Sequence, residues 1–429
     1  MFLDTLDRVI LQKSEIMRFH SPMRMLFCIL LWLFEELLIC SSDPLPSDIT
    51  TGFAVDLYHA IRSMQKDQNL ICSPMSVSLG LGMTELGARG TTLQQLRKVL
   101  HFDKTQEGTE FSLLKQQSKI ISSSSRQYSL KLANAIYIQD EFHLTEQYLH
   151  SSQEFFHNAI KKVNFQDSVS TANIINKWIA NQTEGKIQNL VTSQSLNALT
   201  KMVLVNAIYF KGTWKHKFNS AHTRLMKFVK QDGCVSDIPM MYQQVMSRFG
   251  YFTAGKISYQ VVEVPYIGDE ASIFLALPAE GTDLTELEKL ITPQLIHNWL
   301  STMSEEDIEI NLPRFTIQQR LDLKEPFGVL NVTEIFGSEC DLSGITESSD
   351  LYISQAVHQA FIEINEEGSE AAASSGMTAA IMSLPRHKFM ANRPFVFLIR
   401  SNLTGSILFI GRVMDPEGVN SYGRDKDAL

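Results

Sequence analysis

Residues 366–384, EEGSEAAASSGMTAAIMSL, are the part of this 429-residue chain whose residue types invite chemistry done by another molecule. Gly368 to Gly376 holds only small side chains and the carboxylate of Glu370, with no helical stripe to bury. The run ends in Ala380-Ile381-Met382-Ser383, an uncharged, extended-prone stretch that suits a protease cleft. Structureless segments longer than about 12–15 residues inside a compact domain are uncommon and are usually functional or disordered. A linker is the alternative, but only about forty residues follow, strand-rich and too few to form a core alone. The chain offers little catalytic equipment of its own. It has no P-loop, GxGxxG or HExxH, no GxSxG elbow and no cysteine in a nucleophile motif, so a hydrolase is not expected.

The segment must be held by what flanks it. Ala356 to Ile364 alternates polar and apolar residues like a half-buried strand, and Pro394 to Ile399 resumes as a buried one. Helical signals dominate the first third. Phe53, Leu57, Ile61 and Met64 share one face; Ser73-Pro74 caps a helix running to about Gly87; Leu93, Leu96, Val99 and Leu100 mark a third. Leu130 to Ile138 predicts a strand, and Ala172 to Gln182 a helix burying Ile175, Trp178 and Ile179. Leu199 to Phe210 is almost continuously apolar, as for a strand covered on both faces. Hairpins are expected around Gly268-Asp269 and through Ser401 to Gly405. The composite is α+β, with sheets assembled from strands distant in sequence. No linker or repeat interrupts Ile49 to Pro416, which predicts one large domain.

Hydrophobic content of 44%, charge of 20% and a net charge of −9 describe a globular protein and argue against nucleic acid as a partner. Arg18 and Arg24 precede an apolar run from Met25 to Phe34 that Glu35 and Glu36 end too early for a membrane span. This predicts an upstream extension and a signal peptide over 1–41, cleaved near Cys40 to Asp43, and a single domain over 42–429. A buried helix is the alternative. Cys72, Cys234 and Cys340 remain, widely spaced and odd in number, which is neither a disulfide framework nor a metal site. Asn181, Asn331 and Asn402 head N-x-S/T sequons, candidate glycosylation sites if the chain is secreted.

Three motifs occur in one order: Asn206-Ala207-Ile208-Tyr209-Phe210-Lys211-Gly212-Thr213-Trp214, then Glu366-Glu367-Gly368-Ser369-Glu370-Ala371-Ala372-Ala373, then Asn392-Arg393-Pro394-Phe395 with Gly411-Arg412-Val413. Together they resemble the serpin family over roughly residues 49–416, and within it the neuroserpin/pancpin branch. The resemblance implies three β-sheets, about eight or nine helices and an exposed reactive-centre loop over about 366–384. It implies no cofactor and no metal, a monomer, and a serine protease as partner. The loop is offered to the protease, which forms an acyl-enzyme, and the cleaved loop then inserts into the central sheet. A non-inhibitory serpin acting as a chaperone or ligand carrier is the rival.

An inserting strand has alternating faces. With Ser369 inward, the inward set continues Ala371, Ala373, Ser375, Met377, Ala379 and Ile381, uncharged and small at first, with Glu370 outward. Gly368 gives the pivot backbone freedom. Counting from the hinge, as the family does, places the scissile bond after Met382, before Ser383; counting back from Pro394 points to Ser383. Methionine suits elastase- or chymotrypsin-like pockets, and Arg386, the nearest base, would need a longer reach. Ser73, Ser76, Asn206 and His358 match the polar cluster where the sheet parts, and Trp214 the tryptophan under the loop's entry. Arg97, Lys98 and Lys104 offer only a solvated face, not a polyanion site. Lys426 to Leu429 departs from an ER-retrieval signal by an alanine, so secretion is expected.

Overall fold

The computed structural model describes residues 46–368 and 387–418, apart from 104, 106–107, 123–127 and 158. The expected leader and the hinge residues Ser369, Glu370, Ala371, Ala372 and Ala373 lie outside the described residues, as do Met382 and Ser383.

Among the described residues there are nine α-helices and two hydrogen-bonded sheets. The five-stranded sheet runs in the order β10 (Phe315–Asp322), β11 (Ile353–Ile364), β4 (Met202–Gly212), β2 (Tyr128–Gln139) and β3 (Ile160–Val163). The larger network includes β1 (Leu70–Cys72), β5 (Arg224–Val229), β6 (Val235–Ala254), β7 (Ile257–Pro265), β8 (Ala271–Pro278), β9 (Ser304–Pro313), β12 (His387–Met390), β13 (Phe395–Ser401) and β14 (Ile407–Val413). The twenty-residue β6 changes partner along its length, from β5 to β9 to β7. Two of the three expected sheets are therefore joined through one strand, and both expected hairpins are present as β7–β8 and β13–β14. No described helix is long and apolar enough to cross a membrane.

Helix α1 (Pro46–Met64) and α2 (Pro74–Glu85) pack against each other and against β14. Every residue of α2 is buried, including its serines, which is the pattern of a helix at the centre of a fold. Ser73 caps it by accepting the Ser76 N–H, and Pro74 occupies the first turn, where its missing N–H costs nothing. The close approach of α2 to β4 needs Gly80: a Cβ there would sit 2.4 Å from Asn206 Oδ1. The opposite face of the five-stranded sheet carries a second core. Ala172, Ile175 and Ile179 and the segment through Leu190 and Leu196 pack there on Ala135, Tyr137, Val203, Val205 and Val357.

One expectation is corrected. Arg97 is not part of a solvated face: its guanidinium is largely buried and donates to Glu110 Oε1 at 2.5 Å and to the carbonyls of Phe102 and Thr105. Two buried carboxylates, Glu85 and Glu110, lie beside it, so this arginine balances internal charge. Cys72, Cys234 and Cys340 are free thiols; burial pushes Cys72 well up and Cys340 up to about 12, which keeps both as inert thiols.

Candidate functional site: a hinge above a parallel seam

Among the described residues the five-stranded sheet contains two parallel pairs, β4–β11 in its middle and β2–β3 at its edge. β11 and β4 run parallel, paired from Ile353↔Met202 to Ile362↔Phe210, while β10–β11 and β2–β4 are antiparallel. Parallel pairing is slightly less stable per residue than antiparallel. A chain that left the end of β11 and reversed would run antiparallel to both seam strands.

The structure shows that reversal begun. Glu366 and Glu367 form a two-residue turn, closed on both sides by Gly368 N–H donating to Asn365 O at 3.1 Å and Asn365 N–H to Gly368 O at 3.4 Å. Gly368 has φ +110°, and a Cβ there would meet Gly212 O at 2.2 Å and the Trp214 nitrogen at 2.8 Å. Only glycine fits this pivot, for both steric and conformational reasons.

Trp214 holds the turn from below. Its indole N–H donates to Asn365 O at 2.8 Å, and its backbone N–H to Glu367 O at 3.0 Å. The ring stacks on Tyr266 with centroids 4.6 Å apart and planes 10° apart, and both rings are buried. Glu366 is anchored sideways: Arg314 Nε donates to both carboxylate oxygens at 2.7 Å, and Thr223 Oγ1 donates to Oε1 at 2.5 Å. Burial pushes the Glu366 carboxyl up, but these hydrogen bonds outweigh it and hold the carboxyl below the ordinary value. Lys217 pairs with Glu367 beside it. Arg314, Thr223 and Tyr266 were not legible as site residues, because nothing in their local sequence marks a partner so distant in the chain.

The polar residues expected where the sheet parts form a separate group, at a strand-rise separation of roughly 25 Å from Trp214. Asn134, Asn206 and His358 lie side by side across β2, β4 and β11. The Ser73 N–H donates to His358 Nε2 at 3.0 Å, so the ring proton sits on Nδ1. Ser76 Oγ donates to Asn134 Oδ1 at 2.8 Å, and Asn134 Nδ2 to Ser76 O at 2.8 Å. The N-terminus of α2 thus ties β11 to β2 across β4. Asn206, between them, makes no side-chain hydrogen bond at Oδ1 or Nδ2 among the described residues, although it is fully buried. Asn134 is the member that sequence reading missed; the alternation of β2 places it inward, but an inward asparagine carries no signal without its neighbour.

Burial pushes the His358 imidazole down to about 3, with the Asn206 backbone opposing the shift. The unfolded chain binds this proton near pH 6.5, so between about 6.5 and 3 it holds more protons than the native state. Native stability is therefore expected to fall as pH drops through that window. Urea unfolding from pH 7 to 4 checks this: His358→Gln should flatten the slope, and an unchanged slope would assign the acid sensitivity elsewhere.

The three sequon asparagines are exposed. Asn181 ends α6 (Ser168–Gln182) and Asn331 follows a short helix, but Asn402 Nδ2 is already engaged, donating to Asp269 O at 3.0 Å and Ser272 Oγ at 2.9 Å.

Residues 48–416 match the family model described as serpin (serine protease inhibitor). The chain belongs to the serpin family. Human serpin I2 is 48% identical over 380 residues, covering 88% of this chain and 94% of that protein. Human neuroserpin is 40% identical over 389 residues, covering 90% and 95%. This serpin therefore falls with the neuroserpin/pancpin branch. The crystal structure of uncleaved ovalbumin superposes with a TM-score of 0.79 at 29% identity, covering 87% of this chain and all of that one. In this chain β11 and β4 are direct hydrogen-bonded neighbours.

Proposed function

We propose that this serpin is a secreted, monomeric suicide-substrate inhibitor of serine proteases with elastase- or chymotrypsin-like pockets. The observation that carries the proposal is the two-residue turn at Glu366-Glu367, which reverses the chain at the end of β11, beside the parallel β4–β11 seam where one parallel pair can become two antiparallel ones. The protease serine attacks the Met382 carbonyl; the bond to Ser383 breaks, the amine leaves protonated, and an ester links Met382 to the protease. Insertion of the freed strand adds ladder hydrogen bonds on both sides, each worth about 0.5–1.5 kcal/mol net, so the uncleaved state is kinetically held. Ser369, Ala371 and Ala373 can enter the sheet because none brings a charge or bulk to the inward face. A chaperone or carrier would have no need of that phase. Ser73, Ser76, Asn206 and His358 act as the clasp on the seam, and Trp214 with Glu366 fixes the pivot. The apolar run from Met25 to Phe34 supports export, and Asn181 and Asn331 are the sequons open to a glycan.

Inhibition assays with chymotrypsin, pancreatic elastase and trypsin test the bait. The unmodified protein should inactivate the first two and spare trypsin, whereas Met382→Arg should redirect it to trypsin. Transfer of trypsin inhibition by Ser383→Arg instead would move the scissile bond by one residue, and inhibition of trypsin by the unmodified protein would point to Arg386.

A further inference from the structure

The chain is pinned on both sides of the proposed bait, and the two limbs are unequal. Met382 stands fourteen residues after Gly368 but only five before His387, the first residue of β12. At no more than about 3.6 Å per residue, the longer limb can reach roughly 50 Å and the shorter about 18 Å. The place where a protease meets the bait is therefore set chiefly by whatever fixes His387.

Backbone pairing alone fixes it weakly. Among the described residues, β12 is a four-residue end strand that pairs only with β9, in parallel, from His387↔Ile308 to Met390↔Asn311. Parallel pairing is the slightly weaker kind, and strand ends fray first. The His387 side chain supplies what the ladder lacks. It shares a side of β12 with Phe389, which is fully buried, and sits at the rim of that packing. Its imidazole meets two rings of β6: Phe249, with centroids 5.3 Å apart, and Tyr251, at 5.8 Å. Phe249 and Tyr251 stand two apart on their strand and pack edge to face, 4.9 Å apart with planes at 83°. Glu306 of β9 closes the remaining side, its Oε2 3.6 Å from His387 Nε2. Lys388, pointing the other way, is tied separately to Glu309 at 2.9 Å.

Tyr251 is the informative member. Phe249 is 2% exposed and belongs to the core, whereas Tyr251 is 61% exposed. A ring so open to water adds little to the core, and the rings it touches among the described residues are those of Phe249 and His387.

We infer that Phe249, Tyr251 and Glu306 form an anchor for His387, and that His387 is a positioning residue that sets how the bait meets a protease. The inference rests on the bait reading above and adds to it a fixed point on the C-terminal side. A longer and freer tether lowers the share of encounters in which the scissile bond is aligned with the attacking serine. The anchor acts on that encounter. Strand insertion starts from the opposite limb, at Gly368, so the two steps separate experimentally.

The test measures kcat/KM for cutting of the loop by chymotrypsin, counted as release of the C-terminal fragment, together with the stoichiometry of inhibition. The unmodified protein is compared with His387→Ala, Tyr251→Ala and His387→Phe. The two alanine variants should each lower the cutting rate about three- to tenfold and leave the stoichiometry unchanged. Tyr251→Ala, at an exposed position, should do so without moving the melting temperature. His387→Phe keeps the ring contacts and should recover most of the rate. An unchanged rate in both alanine variants, a loss shared equally by His387→Phe, or a fall in the melting temperature of Tyr251→Ala in step with its rate would overturn the inference. Cutting of the unmodified protein without any covalent complex would overturn the inhibitory reading alone, because the cutting rate reports the anchor either way.

Discussion

Ser369→Arg is expected to turn the protein from an inhibitor into a substrate. On the proposed insertion, continued from the Asn365–Gly368 bridge, residue 369 would come opposite Ile364, which is 1% exposed, so an arginine there would have to enter the core at the first inward position. Burying an unpaired charge costs several kcal/mol even after relaxation. Insertion competes with hydrolysis of the acyl-enzyme, and each 1.4 kcal/mol added to its barrier slows it about tenfold. The number of inhibitor molecules consumed per protease inactivated should rise from near one to more than about ten, with the rate of loop cleavage unchanged. Titration of active protease against the variant measures this. An unchanged stoichiometry would mean that the inward phase starts at a different residue.

Arg314→Ala should have the largest effect on the uncleaved fold. It leaves Glu366, 7% exposed, without its charged partner, and loss of one partner of a buried pair typically costs about 3–5 kcal/mol. The lower part of that range is expected, because the Arg314 side chain is itself 45% exposed. Glu366→Gln should cost less, since the arginine left behind can be hydrated. The Glu366 carboxyl is held below its ordinary value, so the contribution of the pair is present above about pH 4.5 and lost as the pH falls through the folded-state value. Urea unfolding at pH 7 should separate Arg314→Ala from the parent protein, and the gap should narrow below pH 4.5. A constant gap at all pH values would assign the loss to packing of the arginine stem.

The features written along single segments were the legible ones. The periodicity of β11, the apolar run of β4 and the Ser73-Pro74 cap predicted elements that exist. Features made by distant residues were not. Arg314 and Glu366 are joined through a gap of fifty-two residues, and Asn134 meets Ser76 across fifty-eight, so neither leaves a local pattern. The separation of the expected opening cluster into one group around His358 and another at Trp214 is likewise a matter of sheet register. Arg97 was misjudged for the same reason: its buried carboxylate partners come from two other segments of the chain.

The central claim is a covalent trap, and one measurement reaches it directly. Equimolar protein and chymotrypsin are mixed, denatured in SDS and weighed by mass spectrometry. The expected result is a complex equal in mass to the protease plus the chain ending at Met382, less one water, together with a free fragment beginning at Ser383. Quantitative release of that fragment with no covalent complex would contradict it and leave the loop as a substrate only.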